Sequence, residues 1–112
     1  MRFEVFTLLP EVFPPSLKSS ILQRARQRGL IEVRVHNIRD YTHDRHHTTD
    51  DTPYGGGGGM VMKPEPVFEA IESVLEAEAD PLHSQPVTTP VILLTPQGRV
   101  FTQRVAEELS RY

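Results

Sequence analysis

The chain has 112 residues, a formal net charge of −3, 38% hydrophobic residues and no cysteine. That length allows one domain, able to bury roughly two thirds of its unfolded surface, and the missing cysteines exclude disulfides and thiolate metal sites. The negative charge excludes nucleic-acid binding by bulk charge alone, and no stretch of ~18 apolar residues exists to cross a membrane.

The first segment, "RFEVFTLL", is rich in β-forming residues and predicts a buried strand over ~2–8. Acidic residues inside "MRFEVFTLLPEVF" and the lack of a small-residue cleavage pattern argue against a signal peptide, which fits a cytoplasmic protein. Pro10, Pro14 and Pro15 end the strand. Leu17, Ile21, Leu22 and Ala25 then recur at helical spacing, with Gly29 as the stop. In "IEVRVHNI", Ile31, Val33 and Val35 alternate with Glu32, Arg34 and His36, as in a half-buried strand.

From Arg39 to Gly59 there is no apolar periodicity, and loops of that length are functional or disordered. "THDRHHTTDD" offers His43, His46 and His47 beside Asp44, Asp50 and Asp51. As a metal motif it is weak, because loop histidines and aspartates more often make turn hydrogen bonds. Arg39 and Arg45 favour a different role, gripping a phosphate or a base edge. Five glycines follow, Gly55 to Gly59. They match neither a phosphate loop nor a dinucleotide fingerprint, so the run is either a linker or a place of close approach. Met60 and Met62, directly after it, weigh against the linker.

Pro64 and Pro66 mark the start of a second helical segment, with Val67, Ile71, Val74 and Leu75 as its buried stripe through about Ala79. "DPLHSQPVTTP" is a connection. "VILLT" is a short apolar run typical of a parallel strand covered on both faces, and "PQGR" ends it. Thr102 can cap a last helix with Val105 and Leu109 inward. Strand, helix, strand, long loop, helix, strand, helix indicates α/β, with a mainly parallel sheet of about three strands flanked by helices. Ligands collect at the carboxyl ends of such strands, where both the long loop and "TPQG" lie.

Charge is unevenly dealt. Lys18 to Arg45 has seven basic residues against three acidic ones, whereas Lys63 to Asp80 has one base against six acids. A basic face could meet phosphate while the acidic helix faces solvent; an uneven solvated surface explains the same counts.

"LLPEVF", "RDYTHDRHHTTDDTPYGGGGGMVM" and "LLTPQGR" resemble, in order and spacing, the bacterial tRNA (guanine-N1)-methyltransferases of the SPOUT, or trefoil-knot, superfamily. The match spans nearly the whole chain, with two departures. The family usually has Gly-Pro-Gly where Gly57, Gly58 and Gly59 stand, and a basic residue at His47. The resemblance implies that residues 1–112 are the N-terminal part of the methyltransferase domain, with the knot closure and a C-terminal helical domain absent. It implies a homodimer that transfers a methyl group from S-adenosylmethionine to N1 of the guanosine following the tRNA anticodon. It also implies that Leu93, Leu94, Thr95, Pro96 and Gln97 contact the donor, and that Arg24, His46 and Asp50 meet the tRNA. The catalytic base and its helping arginine fall outside this chain, which alone would be inactive. Two alternatives come from the residues themselves: a metal-dependent phosphoesterase using His43, His46 and Asp50, or a fragment that only folds or dimerises.

Overall fold

In the computed structural model of the chain, which describes residues 1–78 and 89–112, β1 (Arg2–Thr7) and β2 (Glu32–Asn37) pair in parallel. Their register runs from Arg2 opposite Glu32 to Thr7 opposite Asn37. A parallel pair needs a crossover, and two helices supply it. The first, α1 (Phe13–Leu17), takes Pro14 and Pro15 in its opening turn, where a missing N–H costs nothing. The second, α2 (Ser20–Gln27), begins after Ser19 and ends at Gly29, whose φ of 67° suits glycine. Sequence spacing had indicated a single helix here. The break comes from Ser19, whose hydroxyl donates to the Ser16 carbonyl at 2.8 Å and closes α1 instead of continuing it.

The β1–β2 face that the alternation marks as polar is only partly wet. Phe6 and His36 face each other across the ladder, their rings stacked with centroids 4.9 Å apart. Nε2 of His36 lies 2.6 Å from Oε2 of Glu4. Oε1 of Glu4 accepts no aligned hydrogen bond, but it is ion-paired with Nε of Arg2 at 3.0 Å and Nη1 of Arg34 at 3.7 Å. His36 is therefore half-buried rather than solvated, because cross-strand pairing recruits it.

After β2, a 3-10 turn (Ile38–Tyr41) seats Ile38 at 4% exposure. The next helix, α3 (Pro64–Glu78), packs against that turn, and its Ala70 is fully buried. Val67, Ile71, Val74 and Leu75 are half-buried along it, the stripe expected from their spacing. Burying Ile38 contributes about 2–3 kcal/mol, so this small contact anchors the loop that follows it.

That loop departs from the expectation of an unstructured segment. Asp50–Asp51 (β3) and Val61–Met62 (β4) pair antiparallel, and the Lys63 amide donates to the Thr49 carbonyl at 2.8 Å. A two-residue ladder has too little alternation for period-based reading to detect.

Residues 1–78 form one compact unit and 79–112 a second. In the second, α4 (Gln103–Leu109) starts at Thr102, whose hydroxyl accepts from the Val105 amide at 3.5 Å. Val105, Ala106 and Leu109 are its half-buried positions. Arg99 reaches Glu108 through both guanidinium nitrogens, at 3.2 and 3.3 Å.

The "VILLT" segment is not a strand. Val91, Ile92, Leu93 and Leu94 are 63%, 56%, 80% and 91% exposed, and among the described residues no strand pairs with them. A strand exists only as part of a ladder; an apolar run states what must be buried, not against which partner. Among the described residues, a parallel pair and a separate antiparallel pair stand where a three-stranded sheet is expected. The α/β class stands. Most of the "DPLHSQPVTTP" connection lies outside the described residues. Among those described, no helix is long and apolar enough to cross a membrane.

Candidate functional site

The long loop is built on turn chemistry from its first residue. Oδ1 of Asn37 accepts from the Arg39 amide at 3.1 Å and so starts the 3-10 turn. The Thr42 hydroxyl donates to the Arg39 carbonyl at 2.7 Å and ends it. Asp44 then organises the segment carrying the histidines. Its carboxylate accepts from the Thr48 hydroxyl at 2.7 Å, the Thr48 amide at 2.9 Å and the His46 amide at 3.1 Å. These bonds, led by that of the Thr48 hydroxyl, favour the ionised form and hold the carboxyl below its ordinary value.

His47 takes φ of 50°, rare for a residue with a side chain. Three contacts support it. Nη1 of Arg39 donates to its carbonyl at 3.3 Å, and its ring Nδ1 lies 2.9 Å from Oγ1 of Thr42 and 3.2 Å from the Arg39 carbonyl. Nε2 of His43 meets Oε2 of Glu69 at 2.8 Å, tying the loop to α3. Thr49 is completely buried, and the chain then enters β3 at Asp50.

The glycine run connects β3 to β4. Gly55, Gly56, Gly57 and Gly59 have φ of 83°, 79°, 136° and 95°, a region side chains rarely enter. A Cβ added at any of the five would meet nothing within 4 Å. Conformation, not close approach within this chain, is what demands glycine here, and the run is not a free linker either. Tyr54, just before it, is fully exposed.

His46 and Asp50 are both exposed and sit on this one braced loop. Arg24 is exposed in the last turn of α2, on a different element. Leu93–Gln97 belong to the second unit. There the Gly98 amide donates to the Thr95 carbonyl at 3.0 Å, and the Gln97 amide to the Thr95 hydroxyl at 3.4 Å. A Cβ on Gly98 would sit 3.2 Å from the Thr95 oxygen, so this glycine does permit a close approach.

His43, one residue of the metal-site alternative, is hydrogen-bonded to Glu69, and among the described residues no group of three His, Cys, Asp or Glu side chains is placed to hold an ion. Sequence reasoning named His46, Asp50 and Asp44, and its reading that loop aspartates more often make turn hydrogen bonds describes Asp44; it did not name Thr42, Thr48 or Glu69, which brace the loop with it. The bond from the His46 amide to Asp44, two residues back, is the turn that an aspartate in a loop signals; the further bonds from Thr48 carry no such signal. Nothing in the sequence links His43 to Glu69, 26 positions apart.

Comparison with known proteins bears on the whole chain. The family model described as tRNA (Guanine-1)-methyltransferase TrmD matches residues 1–112. A tRNA (guanine-N(1)-)-methyltransferase of Dehalococcoides mccartyi is 50% identical over 112 residues, covering 100% of this chain and 42% of the relative. One from Thermomicrobium roseum is 52% identical over 110 residues, 98% of this chain and 38% of its own. Among solved structures, the tRNA (m1G37) methyltransferase of Aquifex aeolicus superposes with a TM-score of 0.81 at 32% identity, covering 100% of this chain and 47% of that one. The chain therefore spans about two fifths of the length of the curated relatives it matches.

Proposed function

We infer the function from one premise: this chain belongs to the tRNA (guanine-1)-methyltransferase family. The proposed activity of the full-length protein is transfer of a methyl group from S-adenosylmethionine to N1 of guanosine-37 of tRNA, beside the anticodon. The observation that carries this proposal is similarity along the entire chain to relatives named for that reaction.

Guanine N1 holds a proton near neutral pH, so the reaction needs a base at N1 and hydrogen-bond donors for the charge that develops on O6. Neither role is assigned to a residue of this chain. The proposal gives them to an aspartate and an arginine elsewhere in the full-length protein. S-adenosylmethionine, when bound, supplies an electrophilic methyl carbon. Leu93, Leu94, Thr95, Pro96 and Gln97 are suited to its adenine side. These residues are exposed, and among the described residues no backbone hydrogen bond engages Val91–Leu94. The Thr95–Gly98 turn fixes the end of the segment, which leaves the amides and carbonyls of Leu93 and Leu94 for a flat heterocycle.

On the RNA side, Asp50 and His46 act from one loop whose shape is set before substrate arrives, which raises what each contact is worth. Arg24 supplies a phosphate contact from α2. A second copy of the protein, a trefoil knot completed by the rest of the chain, a single methyltransferase domain that includes residues 1–112, and a cytoplasmic location complete the proposal.

Asp50→Ala in the full-length protein tests the assignment. Transfer is expected to fall by roughly 10²–10³, the scale for one preorganised polar contact to a transition state, with donor affinity unchanged. Arg24→Ala should weaken tRNA binding and flatten its salt dependence. If Asp50→Ala leaves turnover intact, or if a chelator abolishes it, the role given to this loop is wrong.

A further inference from the structure

We propose that His47 reads RNA directly, its ring Nε2 accepting a hydrogen bond from a donor on the tRNA, either a ribose 2′-hydroxyl or a nucleobase N–H. This rests on the tRNA reading above and adds a contact residue to it.

The inference follows from where the ring's proton must sit. Nδ1 of His47 lies 3.2 Å from the carbonyl oxygen of Arg39, and a carbonyl has no proton to give. The second neighbour of Nδ1, Oγ1 of Thr42 at 2.9 Å, has its own proton directed at that same carbonyl, 2.7 Å away. Both partners are therefore acceptors, and Nδ1 must carry the hydrogen. In a neutral imidazole with Nδ1 protonated, Nε2 holds a lone pair and only accepts. His47 is exposed, and among the described residues Nε2 has no partner.

The backbone supports the same conclusion. Its φ of 50° and the bond from Nη1 of Arg39 to its carbonyl at 3.3 Å turn the residue against the local preference of the chain. Such strain persists only where the surroundings over-determine it, and it clusters at binding sites. The charged groups around the ring are the Arg39 guanidinium on the preceding turn, the neighbouring Arg45 and the Asp44 carboxylate, which the Thr48 hydroxyl and amide occupy. None of them bonds Nε2. RNA, unlike a phosphate-only surface, offers neutral donors at every ribose. The position between His46 and Asp50, both assigned to tRNA, places this acceptor on the same loop.

The test is a cycle in the full-length protein: wild type and His47→Asn against tRNA carrying single 2′-deoxynucleotides through the anticodon loop. Asparagine accepts a positive φ, and its amide can still donate toward Thr42 and Arg39, but it has no acceptor at the reach of Nε2. His47→Asn is expected to weaken tRNA binding about 3- to 10-fold, the scale of one net hydrogen bond, with donor binding unchanged. If a ribose is the source, one deoxy substitution weakens the wild type by the same factor and the variant not at all. If a base is the source, the coupling appears instead with a base analogue lacking that N–H.

Nitrogen-15 shifts of the wild-type ring provide a readout that no folding defect can disturb, and the neutral ring is expected to carry its proton on Nδ1. A proton on Nε2, or wild-type affinity in His47→Asn, overturns the proposal while leaving normal methylation and the broader function intact. A wild-type protein that binds no tRNA overturns both.

Discussion

Gly56 and Gly58 stand two residues apart in one run and answer to different constraints. Gly56 has φ of 79°, whereas Gly58 is the one glycine of the five outside the positive region. Neither has an atom within 4 Å of an added Cβ, so space cannot distinguish them. Gly56→Ala should destabilise by about 1–2 kcal/mol through left-handed strain. Gly58→Ala should be neutral, or stabilise by about 0.4–1 kcal/mol by restricting the unfolded chain. Denaturant midpoints measure both, and equal effects would remove φ as the explanation of the run. Asp44 gives a second residue-level expectation. The Thr48 hydroxyl and amide and the His46 amide hold its carboxyl below the ordinary 3.8 in the folded protein. A depressed aspartate contributes stability above its unfolded value and loses it as pH falls through the folded one. The amide resonances of His46 and Thr48 should therefore move with a midpoint below pH 3.8, and movement centred at or above that pH would contradict these bonds.

At the level of elements, the contact between α3 and the Ile38–Tyr41 turn is what holds the loop in place. Ala70 of α3 is fully buried and Ile38 of the turn nearly so. Ala70→Leu should cost about 1–3 kcal/mol by overpacking, and it should loosen the Asp44 turn as well, read as faster amide exchange at Thr48. Destabilisation with unchanged exchange in the loop would show that the turn stands without the helix. Elements with long, regular patterns were legible in the sequence: β1, the alternation of β2, the stripe of α3 and the Thr102 cap of α4 all carry local signals. Others were not. The split between α1 and α2 depends on one serine bonding backwards, and the β3–β4 pair is two residues long. "VILLT" shows the limit most plainly: its apolar run predicts a strand covered on both faces, yet among the described residues it is exposed and pairs with no strand, because pairing is not a property of the run. Among the candidate site residues, the side-chain chemistry of His46 and Asp50 is legible in the sequence, but the partners that close the turn around His46, Thr48 above all, are not, because hydrogen bonds within a loop leave no periodicity.

Across the described residues, a braced loop carries His46, His47 and Asp50 in the first compact unit, and Leu93–Gln97 run into the Thr95–Gly98 turn in the second. The exposed apolar residues of the second unit, Val91 to Leu94 with Val100 and Phe101 at 80% and 72% exposure, form a surface that solvent alone rarely tolerates. In the proposed function, the remainder of the full-length protein and a second copy supply both that cover and the base for guanine N1. The central claim is then tested most directly by one assay. The full-length protein is incubated with S-adenosylmethionine and with tRNA bearing guanosine, or another base, at position 37, and reverse transcription across the anticodon loop is followed. The account predicts an arrest at position 37 with guanosine only, and none with residues 1–112 alone. Readthrough of the guanosine tRNA by the full-length protein, or an arrest at another position, would contradict it.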